Sequence, residues 1–213
     1  GAFVDIRGEG RDVLAFSHDF IVRPRLRIRE GAATIEVELQ VQNQAGTSMP
    51  FMYLAHINFM PVDGAILHDA ADTAATVVRK QSIDATAPEN IRRYHEQVTA
   101  DPDTHRLLEP GVPVLPELVL TMKVAADAQG WTQALQRHPD GSGDFVRYRP
   151  DELPYAVRWM TRGPNQDALG LVLPATAPPD GLAAAQRGGS LVWIAPGASF
   201  RTRYSFGALD PHA

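Results

Sequence analysis

Cysteine is absent from all 213 residues of the chain. That removes disulfide staples, thiolate zinc sites and cysteine nucleophiles together, and leaves the redox compartment open. Lysine is nearly absent too, with Lys80 and Lys123 the only two. No apolar run approaches the roughly 18 residues that span a bilayer, so a membrane is not an expected partner. The formal charge is −5, which argues against nucleic acid, because phosphate binding rewards a basic surface. There is no H-E-x-x-H and no tight trio of ligands, so no metal is expected. A glycine-rich phosphate loop is lacking as well: Gly188-Gly189 opens a strand rather than a helix, and no cofactor is expected. The chain begins at Gly1, not at a methionine, and its first residues do not form a signal peptide. A chain processed, trimmed or fused upstream is expected, with a cytoplasmic location as the default.

What the sequence does contain is strand. Residues 1–213 suit a single domain large enough for a substantial core. Period-two alternation predicts strands over Val13–Phe16, Phe20–Arg29, Ala33–Gln42, Phe51–Phe59, Glu117–Val124 and Trp131–Arg137. Further strands are predicted over Phe145–Arg149, Tyr155–Met160, Ala168–Leu173, Leu191–Ile194 and Phe200–Gly207. Seventeen prolines and seventeen glycines fall mostly between these runs, and His138-Pro139-Asp140-Gly141-Ser142-Gly143 is a hairpin turn. One helix is predicted, around Pro88–Gln97 with Thr86 as its cap. The polar connection from Asp69 to Gly111 implies a surface excursion or a lid. Arg23, Arg25, Arg27 and Arg29 alternate with Leu26 and Ile28; they read first as the wet face of a strand and second as an anion patch. The expected architecture is all-β, a large antiparallel β-sandwich with a groove on one sheet.

The most informative stretch runs from Thr34 to Phe59. Ile35, Val37, Leu39 and Val41 alternate with polar residues, and a turn over Asn43–Ser48 follows. Phe51, Tyr53, Ala55, Ile57 and Phe59 then point one way, and Met52, Leu54, His56 and Asn58 the other. Apolar residues on both faces imply a central strand with His56 over an enclosed surface. The pattern Val41-Gln42-Asn43, polar loop, Pro50-Phe51, His56-Ile57-Asn58-Phe59 resembles the galactose mutarotase-like superfamily, in particular an aldose 1-epimerase-like branch. Leu153-Pro154, Trp159, Asp167–Leu171, Pro174-Ala175-Thr176 and Pro196-Gly197 follow that branch in order. The resemblance covers about residues 20 to 210. It implies a galactose mutarotase-like supersandwich, a monosaccharide or sugar derivative as partner, and isomerase chemistry of the aldose 1-epimerase kind in carbohydrate metabolism.

Mutarotation needs one group to take the proton of the anomeric hydroxyl and another to protonate the ring oxygen. By resemblance His56 is the acid. The late-strand glutamate that serves such enzymes as base is replaced by Leu173. The nearest carboxylate in that segment, Asp167, stands six residues away, about 20 Å along an extended strand; it ends a turn or borders the substrate. Glu117 and Glu152 read as surface charges at strand entries. Asn58 and His68 are expected to meet sugar hydroxyls, and Trp159 to stack on the sugar face, with Arg158 on the opposite side of its strand. Trp131 and Trp193 read as core. Members of the branch carry an arginine and another histidine upstream of the strand pair, whereas only His18, Arg23 and Arg25 precede Ala33 here. The front of the sandwich therefore reads as shortened, lacking N-terminal strands or carrying a reduced site. Two rivals to catalysis follow: a carbohydrate-binding protein that has lost its base, and an interaction domain whose open sheet edge pairs with a second chain, as in a homo-oligomer.

Overall fold

The computed structural model describes residues 1–80 and 86–211. Their strands, in chain order, are β1 (Phe3–Arg7), β2 (Gly10–Leu14), β3 (His18–Arg29), β4 (Thr34–Asn43), β5 (Met49–Phe51), β6 (Ile66–His68) and β7 (Val77–Val78). After helix α1 (Glu89–Ala100) come β8 (Val114–Met122), β9 (Thr132–Arg137), β10 (Gly143–Tyr148), β11 (Tyr155–Gly163) and β12 (Gln166–Ala175). Helix α2 (Leu182–Arg187), β13 (Val192–Ile194) and β14 (Ser199–Leu209) close the chain. An eight-stranded sheet is ordered β1-β3-β4-β14-β10-β9-β6, with β2 also on β3. A four-stranded sheet is ordered β12-β11-β8-β7, and β13 pairs with β5 in a small ribbon. The pairings are antiparallel, as the alternating sequence pattern requires.

Alternation sorts the faces. On β4, Val37 and Val41 turn inward while Glu36 and Glu38 turn outward and meet Arg29 and Arg25 of β3. The inward residues of the large sheet, among them Ala134, Val146 and Tyr148, pack against Leu118, Leu120, Met122 and Met160 of the small one. Burying each valine, leucine or methionine among them stabilises the sandwich by about 1.5–3 kcal/mol. The β5–β13 ribbon covers one end of the large sheet, where Met49 and Ile194 pack on Val41. Asn43 locks that end: its amide nitrogen donates to the Thr47 and Ile194 carbonyls at 2.7 and 2.8 Å, and its side-chain oxygen accepts from the Ala45 N–H at 2.9 Å.

Several expectations need correction. Phe51–Phe59 is not one strand: only Met49–Phe51 is regular, and residues 53–59 skirt the edge of β12 through isolated bridges, Leu54 with Ala175 and Phe59 with Leu169. Pro174 has no N–H to offer a full ladder there, and the Ile57 N–H turns back to the Ala55 carbonyl at 3.1 Å. The expected facing of the side chains nevertheless holds, with Ala55 and Ile57 buried and His56 and Asn58 exposed. Helix α1 runs to Ala100, and Pro88, not Thr86, is its N-cap, with no side-chain cap bond. Helix α2, β1, β6 and β7 had no clear sequence signal. The connection from Asp69 to Gly111 is no loose excursion where it is described, since α1 buries Ile91, His95 and Val98. The stretch 81–85 of that connection lies outside the described residues.

Candidate functional site

The outward face of the four-stranded sheet carries a compact apolar patch. Val119 of β8, Val157 of β11, and Leu173 and Ala175 of β12 form it, bordered by Leu54, Tyr155 and Trp159. Parity along β12 would turn Leu173 inward with Leu169 and Leu171. A bulge intervenes: Val157 pairs with Leu173 but Trp159 with Gly170, and the extra residue re-aims Leu173 outward. Gly170 permits this, because a Cβ there would lie 2.9 Å from a Leu173 methyl.

His56 stands at this patch. The Ala55 N–H bonds to the Pro174 carbonyl at 3.0 Å and the Phe59 N–H to the Leu169 carbonyl at 2.8 Å, fixing the segment along β12. The Ala55–Ile57 bond makes His56 the apex of a three-residue turn, so its ring projects outward. That ring meets the Trp159 indole edge-on, with centroids 5.6 Å apart and planes at 62°. The expected enclosure of His56 is thereby corrected: the residue is exposed, and among the described residues its ring makes no hydrogen bond. The Trp159 indole N–H donates to Glu117 of β8 at 2.5 Å, and the Arg79 guanidinium grips the same carboxylate. Arg79 also lines a cleft of about 630 Å³ that passes Lys80 and Arg92 to His95 and Thr99 of α1.

His56 and Trp159 are thus brought together, with Asn58 exposed two residues along the chain from His56, whereas His68 and Asp167 lie elsewhere. His68 belongs to the other sheet, paired with Leu135, and borders a cleft of about 570 Å³ with Asp127, Trp131 and Arg147. Asp167 lies at the β11–β12 hairpin, bonded at 3.3 Å to Arg162, which itself holds Asp63 at 2.6 Å. Glu117 was the residue that sequence reasoning set aside. It read as a surface charge at a strand entry, and only the pairing of β8 with β11 places it beside Trp159. Trp131 and Trp193 are not core: Trp193 is exposed, and Trp131 lies under the guanidiniums of Arg147, Arg149 and Arg203.

Behind Trp159, Arg158 points between the sheets and is wholly buried. It donates to the Leu171 carbonyl at 2.9 Å, to Asp69 at 2.8 Å and to the His105 Nε2 at 2.6 Å. His105 Nδ1–H donates to the Pro102 carbonyl, which leaves Nε2 as the acceptor that Arg158 needs. Burial, reinforced by Arg158, pushes the His105 pKa down to about 3. Burial alone would raise the Asp69 carboxyl, yet Arg158 and Arg106 together hold it at about 2. Burial also lowers the pKa of His95, whose Nε2 bonds the Leu115 carbonyl at 3.0 Å. Among the described residues no group of three or more His, Asp or Glu could hold a metal ion, and no helix is long and apolar enough to cross a membrane.

Two facing antiparallel sheets make a β-sandwich, and its fold is that of the galactose mutarotase-like structures. The chain belongs to the family described as a domain of unknown function, DUF4432, whose model matches residues 1–208. Solved structures share the fold. A candidate aldose 1-epimerase from Klebsiella pneumoniae superposes with a TM-score of 0.80 at 16% identity, over 97% of this chain and 51% of that one. A galactose mutarotase related enzyme from Lactobacillus acidophilus gives 0.62 at 14% identity, over 97% of this chain and 68% of that one. A galactose mutarotase-like protein from Clostridium acetobutylicum gives 0.62 at 15%, over 98% and 62%. The chain therefore spans about half the length of the Klebsiella protein. No curated protein matches it.

Proposed function

We propose that this chain binds a monosaccharide or sugar derivative on the outer face of the four-stranded sheet and acts at its anomeric centre. The observation that carries the reading is the meeting of His56 and Glu117 at one indole. Trp159 offers a flat surface to the apolar face of a pyranose, while Asn58 and His56 offer polar groups to its hydroxyls. In the imidazolium form His56 gives a proton to the ring oxygen as the bond from that oxygen to the anomeric carbon breaks. Glu117 takes the proton of the anomeric hydroxyl, and an open-chain aldehyde results. Rotation about the bond to the carbonyl carbon and closure with the two proton transfers reversed yield the other anomer and restore both groups.

Leu173 favours a second reading. The position at which the resemblance wants a base is buried and apolar, as befits a carbohydrate-binding or interaction domain without turnover. Saturation-transfer NMR of anomer exchange over a sugar panel, paired with titration calorimetry, separates the two. On the first reading the protein accelerates exchange, and His56→Ala or Glu117→Gln slows it by about 10²-fold or more. Sugar affinity with no acceleration leaves the binding protein; no affinity for any sugar overturns both.

A further inference from the structure

The outer face of the large sheet, on the far side of the sandwich from Trp159, carries a second cleft. It has a volume of about 350 Å³ and is lined by Arg23, Arg25, Arg201, Arg203, Glu38 and Glu152. Strand register builds it. Arg23 and Arg201 flank Gln40, and Arg25 and Arg203 flank Glu38, so two rows cross β3, β4 and β14 with arginine at both ends. Four guanidiniums and two carboxylates line it, in a chain whose net charge is −5.

The two carboxylates are already engaged. Glu38 bonds Arg25 at 3.0 Å. Glu152 takes Arg149 at 3.2 Å and the backbone N–H of Arg203 at 2.9 Å. On the β3 side, Arg23 is held by Glu9 and Gln42, and Arg25 also by Asp5. On the β14 side the guanidiniums of Arg201 and Arg203 have no carboxylate partner among the described residues. Arg203 is instead steadied by the face of Trp131, 5.2 Å from its ring centre. The neutral Gln40 opposite Arg201 spends its amide on Ser199 at 3.0 Å.

We infer that this cleft binds a dianionic tetrahedral oxyanion, the phosphate or sulfate group of a small molecule, through Arg201 and Arg203. These residues are two apart on one face of β14, roughly 6.8 Å between Cα atoms. A planar carboxylate is satisfied by one guanidinium fork. A group with three or four oxygens accepts from two forks at once, and its two negative charges match the two guanidiniums, of Arg201 and Arg203, that no carboxylate offsets among the described residues. The volume suits a small ligand, not a polymer.

The test is a titration of the protein with inorganic phosphate and, separately, inorganic sulfate. It is followed by calorimetry and by NMR of the arginine Nε–H signals, against sodium chloride at equal ionic strength. Saturable shifts confined to the cleft arginines are expected. Affinity should fall about tenfold for each of Arg201→Gln and Arg203→Gln, and should hold in Arg137→Gln, an exposed arginine outside the cleft. Binding of phosphate alone assigns the cleft to phosphate esters; binding of sulfate as well assigns it to dianionic tetrahedral groups at large. Shifts that chloride reproduces, or an affinity unchanged in the double variant, overturn the assignment. Both substituted residues are exposed, so a thermal midpoint equal to the parent's separates lost binding from lost fold.

Discussion

Trp159 is held from two directions: its N–H is committed to Glu117, and its ring meets that of His56 at 62°. Its two proposed duties can therefore be separated by substitution. Trp159→Leu removes the flat ring and should weaken sugar binding by about tenfold. Trp159→Phe keeps a ring but leaves the Glu117 oxygen without its indole donor. It should retain most of the affinity, measured by calorimetry, while changing the anomer exchange rate measured by NMR. Equal losses of both quantities in the two variants would reduce Trp159 to a packing residue. The facing of His56 was legible in the sequence, because alternation decides which side of an extended chain a residue takes, whereas its part in the site was read from the resemblance alone. Glu117 was not legible, because its place beside Trp159 depends on which strand neighbours which. Strand order follows from the packing of the whole sandwich and leaves no local pattern.

Among the elements, β12 shapes the site most. Its bulge turns Leu173 to the same face as Trp159, and Gly170 supplies the room. Gly170→Ala would press a methyl into the Leu173 side chain, both residues being buried. An overpacked core site costs about 1–3 kcal/mol, visible as a lower midpoint in urea unfolding; an unchanged midpoint would mean that the bulge relaxes freely. Leu173→Glu tests the same geometry by chemistry. It places a carboxylate where the resemblance wants a base, and should raise the anomer exchange rate even though burying the charge lowers thermal stability. No gain in rate, with sugar affinity intact, would show that position 173 is not aimed at the anomeric centre. Most strands were legible because one face of each is wet and the other dry. The failures have separate causes. Residues 53–59 alternate as a strand does, yet Pro174 withholds the donor that a ladder would use. Strand β7 spans only two residues, too few for a period to be seen.

At the scale of the whole molecule, the two sheets are joined through their interior by charge as well as by apolar packing. Arg158 of the small sheet holds Asp69, which follows β6 of the large one, and His105, from the turn after α1. Arg106, Asp103 and Tyr148 are further charged or titratable neighbours of this group. Burial disfavours the charged ring, and a protonated His105 would also aim an N–H at the Arg158 guanidinium, so the ring stays neutral and its pKa falls to about 3. The unfolded chain has no such constraint and takes up a proton near pH 6.5. Between these two values the unfolded state holds more protons than the folded one. The stabilisation is therefore complete above about pH 6.5 and is lost as the pH falls towards 3, at about 1.4 kcal/mol per pH unit. Asp69 acts in the same direction at lower pH: its stabilising charge is present above about 3.9 and is lost as the pH falls through 2. Urea unfolding of the parent should lose roughly 2 kcal/mol between pH 6 and pH 4 from His105 alone. His105→Gln can still accept from Arg158 but takes up no proton. It should lower stability at pH 7 and flatten this slope, so that the two proteins converge in acid. A variant whose pH profile runs parallel to the parent's would place the acid sensitivity elsewhere, with buried His95 the next group to replace.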